Sequence, residues 1–150
     1  MKIVLTLMVF LGLLNETARG HETSISIVDV ATGKLAALDQ ILERPGSLVL
    51  AFEESCQVCK FYLKNLRPCE LGSAKEIHVV ALGKNDYLRR VQAQLPPSWS
   101  LHKIKEKDFK HLAPATPLTF WKKGQHTGAL ECQELQTWLN SGKVPRPADS

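Results

Sequence analysis

The residues of this chain best suited to chemistry are two cysteines separated by two positions, Cys56-Gln57-Val58-Cys59. They follow an apolar run, SLVLAF at Ser47–Phe52, and open a stretch in which Val58, Phe61, Tyr62 and Leu66 recur at helical spacing until Pro68. The pair therefore sits where a strand turns into a helix, with Ser55 as a candidate N-cap. Two cysteines on a first helical turn can close a small disulfide. The first of them faces the helix N-terminus, where backbone N–H groups and the macrodipole favour a thiolate and bring the thiol below its free pKa of about 8.5. A thiolate is the species that attacks a disulfide. Cys56 reads as the nucleophile, and the more shielded Cys59 as the residue that resolves the mixed disulfide by attacking Cys56. Two other uses of the motif stand beside this one: an inert structural disulfide, and a zinc site. A Cys₄ zinc site wants a second such pair, but Cys69 and Cys132 are lone cysteines and no closely spaced histidine pair occurs.

The elements that must position the pair follow from the pattern on either side. Ser24–Val30 alternates as a strand, and Thr32-Gly33-Lys34 is a turn. Leu35, Leu38, Ile41 and Leu42 fall at helical spacing that Pro45-Gly46 stops. Ser47–Phe52 and Ile77–Leu82 are wholly apolar, as strands buried on both faces are. A helix follows the second of these, from about Asn85 to Pro96-Pro97, with Leu88, Val91 and Leu95 inward. Residues 98–113 hold Trp99 and four lysines, and read as irregular chain with a short helix near 106–112. Leu118–Trp121 and Thr127–Leu130 read as strands joined by Lys122-Lys123-Gly124-Gln125. Leu135, Trp138 and Leu139 mark a closing helix that ends before Gly142. Strands alternating with helices, then a hairpin, imply one α/β layer with antiparallel strands added. Phe52, Phe61, Trp121 and Trp138 are at core spacing, Trp99 is the one aromatic expected near the surface, and His78, inside a strand, is structural.

The whole chain has 150 residues, 44% hydrophobic and 23% charged, which is globular composition for a single domain. Met1-Lys2, the uncharged Ile3–Leu14 and the small residues Ala18 and Gly20 read as an export signal over residues 1–20, cleaved before His21; an uncleaved anchor helix is the alternative. Removing that segment leaves 17 basic against 14 acidic side chains, a net +3 that is too mild to argue for nucleic acid. The expected location is periplasmic or secreted, where disulfides persist, with no membrane span after cleavage. Residues 21–150 form the domain.

With these residues in view, SLVLAFEESCQVCKFYLKNL resembles the active-site strand and helix of the thioredoxin superfamily, and Ala115-Thr116-Pro117-Leu118-Thr119-Phe120-Trp121-Lys122-Lys123-Gly124 resembles its second signature. The export signal and extra N-terminal strand are most similar to its secreted, TlpA-like branch. The resemblance implies a thioredoxin-like α/β fold with a central mixed sheet flanked by helices. It implies a cis bond before Pro117, beside the cysteine pair, and a Thr116 backbone that pairs with an extended substrate strand. It implies a thiol–disulfide oxidoreductase with protein thiol or disulfide substrates, a redox-recycling protein partner, no cofactor and no metal. The chain departs from the family pattern at Ser55, where many members carry Trp; at the Gln-Val dipeptide; and at Leu50, where classical members keep a buried acid. Glu53 or Glu54 are the candidates to replace that acid. The dipeptide, lacking a histidine, points to a reductant or moderate exchanger. Cys69 lies ten residues past Cys59, about 15 Å if helical, and the family layout puts Cys132 at the other end of the sheet. A 69–132 bridge is therefore expected to be strained or absent, leaving buried thiols or a thiol that joins a partner. The rival readings are a non-catalytic binding module with a structural disulfide and a metal-handling protein using Cys56, Cys59 and a histidine.

Overall fold

The computed structural model describes residues 24–146; the expected export signal over residues 1–20 lies outside them, as do residues 21–23 and 147–150. Twelve elements follow in order: β1 (Ser26–Asp29), β2 (Leu35–Ala37), α1 (Leu38–Glu43), β3 (Ser47–Glu53), α2 (Gln57–Leu66), β4 (Glu76–Leu82), α3 (Asn85–Gln94), β5 (Trp99–Ile104), α4 (Glu106–Leu112), β6 (Leu118–Trp121), β7 (Gly124–Thr127) and α5 (Cys132–Ser141). The strands form one mixed sheet in the order β2-β1-β5-β4-β3-β6-β7. β3, β4 and β5 are parallel neighbours, and the outer pairings are antiparallel.

The apolar runs lie in the middle of the sheet because both of their faces are covered. Leu48, Leu50 and Phe52 of β3 point to the layer that holds Cys59, Tyr62, Leu63 and Leu66 of α2, Leu88 of α3, and Leu135, Trp138 and Leu139 of α5. Val49 and Ala51 point the other way, to a second cluster with Leu38 and Ile41 of α1 and Phe109 of α4. The expected helix over Leu35–Leu42 is shorter than its pattern. The Thr32-Gly33 turn, with Gly33 at φ 71°, closes a hairpin, and residues 35–37 pair with β1 before the helix starts.

The stretch at 98–113 holds a strand that the lysines masked. β5 lies beside β4 near the centre of the sheet, and Trp99 is buried in the core, not exposed. Of its residues, Lys103 reaches outward, its ammonium 2.6 Å from Asn85 Oδ1. His78 and His102 stand on neighbouring strands of the α1 face, as the registers of β4 and β5 require. Their rings stack at 5.2 Å between centroids, and His78 Nδ1 meets His102 Nε2 at 3.0 Å. His78 Nε2 meets Glu76 Oε2 at 3.2 Å, while His102 Nδ1 is buried without a partner. The last hairpin is tighter than expected: Gly124 already pairs with Trp121, so the loop is Lys122-Lys123 alone, with Lys122 at φ 55°. Phe61 is also a correction. Tyr62 and Leu63 fill the inward face of α2, and Phe61 is left 64% exposed.

Candidate active site

β3 carries the chain from the core to the head of α2. There Cys56, not Ser55, is the N-cap: its N–H donates to Glu53 O at 3.1 Å, and its sulfur accepts the N–H of Cys59 at 3.0 Å. A cap normally satisfies an orphan N–H with an oxygen; here a sulfur does so. The same N–H stabilises negative charge on that sulfur once it is a thiolate. Cys56 and Cys59 are disulfide-bonded, with Cα atoms 5.2 Å apart. Cys56 is half-buried and Cys59 is 1% exposed. An incoming sulfur therefore has access to one partner only.

The Thr116–Pro117 peptide bond is cis, as the sequence resemblance implied. In the β3–β6 register Leu118 faces Ala51, so Pro117 falls one step beyond β6 at the end of the sheet where β3 delivers Cys56. Pro117 is buried and its carbonyl accepts the N–H of Gly128 at 2.8 Å, while Thr116 is half-buried. Thr116, Pro117 and the cysteine pair thus share one end of the fold.

One contact in this region had no counterpart in the sequence reading. Tyr62, on the buried side of α2, places its hydroxyl 3.1 Å from Thr119 Oγ1 of β6. Burial pushes the tyrosine pKa up to about 12, so the phenol stays protonated. This bond ties the helix of the cysteine pair to the strand that follows Pro117. The only advance signal was a tyrosine at an inward helical position. Leu50 is fully buried in the layer that holds Cys59. Of its two candidate substitutes, Glu54 is occupied elsewhere: its carboxylate accepts the N–H of Lys84 at 2.8 Å, at the start of α3. Glu53 is half-buried at the end of β3.

Cys69 and Cys132 are bonded to each other, Cα to Cα 5.8 Å, so the bridge expected to be strained or absent is present and neither position holds a free thiol. The expectation rested on the family layout, which sets the end of the active-site helix and the first turn of the last helix at opposite ends of the sheet. In fact α2 stops at Leu66 and the chain turns, Cys69 N–H donating to Leu66 O at 2.9 Å. The following residues then run alongside α5: Gln136 Nε2 donates to Glu70 O at 2.8 Å, and Ser73 bonds Asn140. No free cysteine remains among the described residues, and no group of three or more His, Cys, Asp or Glu there is placed to hold a metal ion.

No protein-family model and no curated protein matches the sequence. Solved structures do match the fold. One is a secreted Mycobacterium tuberculosis disulfide oxidoreductase homologous to E. coli DsbE, with a TM-score of 0.63 at 10% identity, covering 79% of this chain and 96% of that one. Another is the pneumococcal exposed lipoprotein thioredoxin Etrx1 of Streptococcus pneumoniae, with a TM-score of 0.58 at 12% identity, covering 78% and 98%. The fold is that of thioredoxin. A third thioredoxin-fold neighbour is Arabidopsis thaliana ScoI with copper bound, with a TM-score of 0.55 at 9% identity, covering 76% and 92%. At these identities the likeness is one of architecture. β5, β1 and β2 continue the sheet beyond β4, on the side away from β6 and β7. The expected extra N-terminal strand is a two-stranded hairpin.

Proposed function

We propose that this chain is an exported thiol–disulfide oxidoreductase that exchanges disulfides with protein substrates through Cys56 and Cys59. The observation that carries the reading is the asymmetry of the pair. Cys56 is half-buried and its sulfur receives the Cys59 N–H, while Cys59 is sealed in the core. In the reducing direction, the Cys56 thiolate attacks a substrate disulfide and displaces one substrate sulfur as a thiolate. Cys59, losing its proton to solvent, then attacks Cys56 Sγ. The second substrate sulfur leaves, takes up a proton, and the 56–59 disulfide closes. Two electrons have passed from the pair to the substrate. A protein partner restores the dithiol. The cysteine pair is itself the redox centre, so the reaction draws on no cofactor.

The half-buried Thr116 offers its backbone to an extended substrate segment beside Pro117, which sets the substrate sulfur against Cys56. With Gln-Val between the cysteines, no neighbouring cation of the dipeptide stabilises the thiolate, which favours a reductant or moderate exchanger. The apolar segment at residues 3–14 supports export to the periplasm or beyond. No helix of the described residues is long and apolar enough to cross a membrane.

The test is the reduction potential of the 56–59 pair in glutathione or dithiothreitol buffers. A value between about −120 and −270 mV is expected, and its place in that span gives the direction. A value well below about −300 mV, with a Cys56 that resists alkylation after reduction, would leave a thioredoxin-fold binding module with a structural disulfide.

A further inference from the structure

Large apolar side chains left in solvent are informative when they cluster. Among the described residues four are exposed: Leu35, Val58, Phe61 and Val144. Two of the four are on α2, and they are three positions apart, so they form one ridge on its outer face. The ridge is not spare core. Cys59, Tyr62, Leu63 and Leu66 already occupy the inward face, and Phe61 is 64% and Val58 54% exposed. Val58 lies between the two cysteines, so the ridge begins at the reactive sulfur.

The charges on α2 itself have one sign. Lys60 and Lys64 are exposed on the same helix, and α2 carries no acidic residue. Ion pairs among the described residues join Arg44 to Glu76, Arg89 to Asp86, and Lys110 to Glu106; none includes Lys60 or Lys64. As like charges at i and i+4, the two lysines repel each other, and an acidic neighbour would relieve that repulsion. Two carboxylates of the fold are already held by backbone N–H groups: Glu54 accepts from Lys84 N–H, and Glu134 accepts from Glu131 N–H.

We infer that the Val58–Phe61 ridge with Lys60 and Lys64 is a docking surface for a partner protein that presents an acidic, apolar segment next to its reactive cysteine. This rests on the oxidoreductase reading and assigns its substrate class. Phe61 is five residues along α2 from Cys56, about 7–8 Å along the helix axis. An extended partner rises about 3.3 Å per residue and shows alternate side chains to one face. The side chain that meets Phe61 is therefore two residues from the partner's cysteine, and the acids that meet Lys60 and Lys64 flank it. An anionic lipid surface is the poorer occupant, because polybasic lipid sites gather about 4–8 cations where this ridge has two.

The experiment uses the full chain in its reduced state and three chromogenic disulfides of thionitrobenzoate. One is made with N-acetylcysteine. The second is made with a short cysteine peptide carrying Leu two residues from its Cys and Asp on either side of the Leu. The third is the same peptide with Lys for each Asp. The readout is each peptide's rate divided by the N-acetylcysteine rate. The Asp peptide is expected to exceed the Lys peptide by about threefold at low salt, with the gap closing as salt screens the charges. Phe61→Ser is expected to lower the Asp-peptide ratio by about fivefold, and Lys60→Gln with Lys64→Gln to erase the Asp-over-Lys preference. Equal ratios for the two peptides, or a Phe61→Ser ratio equal to that of the unmodified protein, would overturn the inference. So would Phe61-dependent binding to phosphatidylserine vesicles without a peptide preference. A protein that turns over none of the three disulfides, the N-acetylcysteine compound included, would instead overturn the oxidoreductase reading itself.

Discussion

Lowering the pH should loosen this fold through a histidine far from its cysteines. His102 is 5% exposed, and its Nδ1 has no partner. Burial, and the neighbouring His78 ring, pull its pKa down from 6.5 to about 4, against a smaller opposing pull from Asp29. In the unfolded chain the same imidazole titrates near 6.5. Between the two values the unfolded state binds the extra proton, so stability must fall as the pH falls through that window. The contribution is fully present above about pH 6.5 and lost by about pH 4, and the pKa difference converts to about 3 kcal/mol. A loss of that size is a large share of the 5–15 kcal/mol typical of a domain, so it is readily measured. The assay is urea unfolding of the oxidised protein, followed by tryptophan fluorescence at steps from about pH 7.5 to about pH 4.5. His102→Gln keeps a polar group beside His78 and removes the titration. Its stability should depend less on pH across the window, by up to about 3 kcal/mol. Glu76 is held below the usual carboxylate range by its hydrogen bonds from His78, Arg44 and Ser47, so its own loss comes at lower pH in both proteins. Identical pH profiles for the two proteins would refute the reasoning.

Replacing Cys59 with Ser should leave Cys56 able to attack but unable to be released, so mixed disulfides accumulate on Cys56 and run as reducible adducts on non-reducing gels; Cys56→Ser should form none. Tyr62→Phe removes the bond to Thr119, whose side chain is fully buried, and should cost about 1 kcal/mol in urea unfolding. Replacing Cys69 and Cys132 together with Ser opens a bridge spanning 63 positions, for which loop-closure entropy gives a loss of about 4 kcal/mol by the same assay.

Much of this arrangement was legible in the residues because each signal was local. The C-x-x-C pair after an apolar strand, the buried-type runs of β3 and β4, and the closing helix at Leu135–Leu139 are all short-range patterns. The cis bond at Pro117 came from resemblance, since nothing in its neighbours' types demands it. Features that depend on a partner distant in the chain stayed hidden. β5 carries Lys103 and two further polar residues, and only pairing with β4 and β1 turns it into a buried strand. The 69–132 bridge depends on where α2 ends and how the chain turns back, which helical periodicity does not encode. Phe61 fits a helical core pattern as well as Tyr62 does, and only the packing of the sheet against α2 decides which of the two is covered.

The strand lengths across the sheet have a consequence for how copies of this molecule meet. The outermost strands, β2 and β7, are three and four residues long, while β3 and β4 at the interior have seven each. A free sheet edge is a template on which a second chain can grow, and its reach is set by its length. Here the template is cut to a few peptide groups on either flank, and Lys122 and Lys123 stand at the turn into β7. The run most prone to stacking with itself, Ser47–Phe52, is held between β4 and β6 and offers its backbone to neither flank. The folded chain therefore resists strand-by-strand association, and its vulnerable moment is earlier, before β6 has closed over β3.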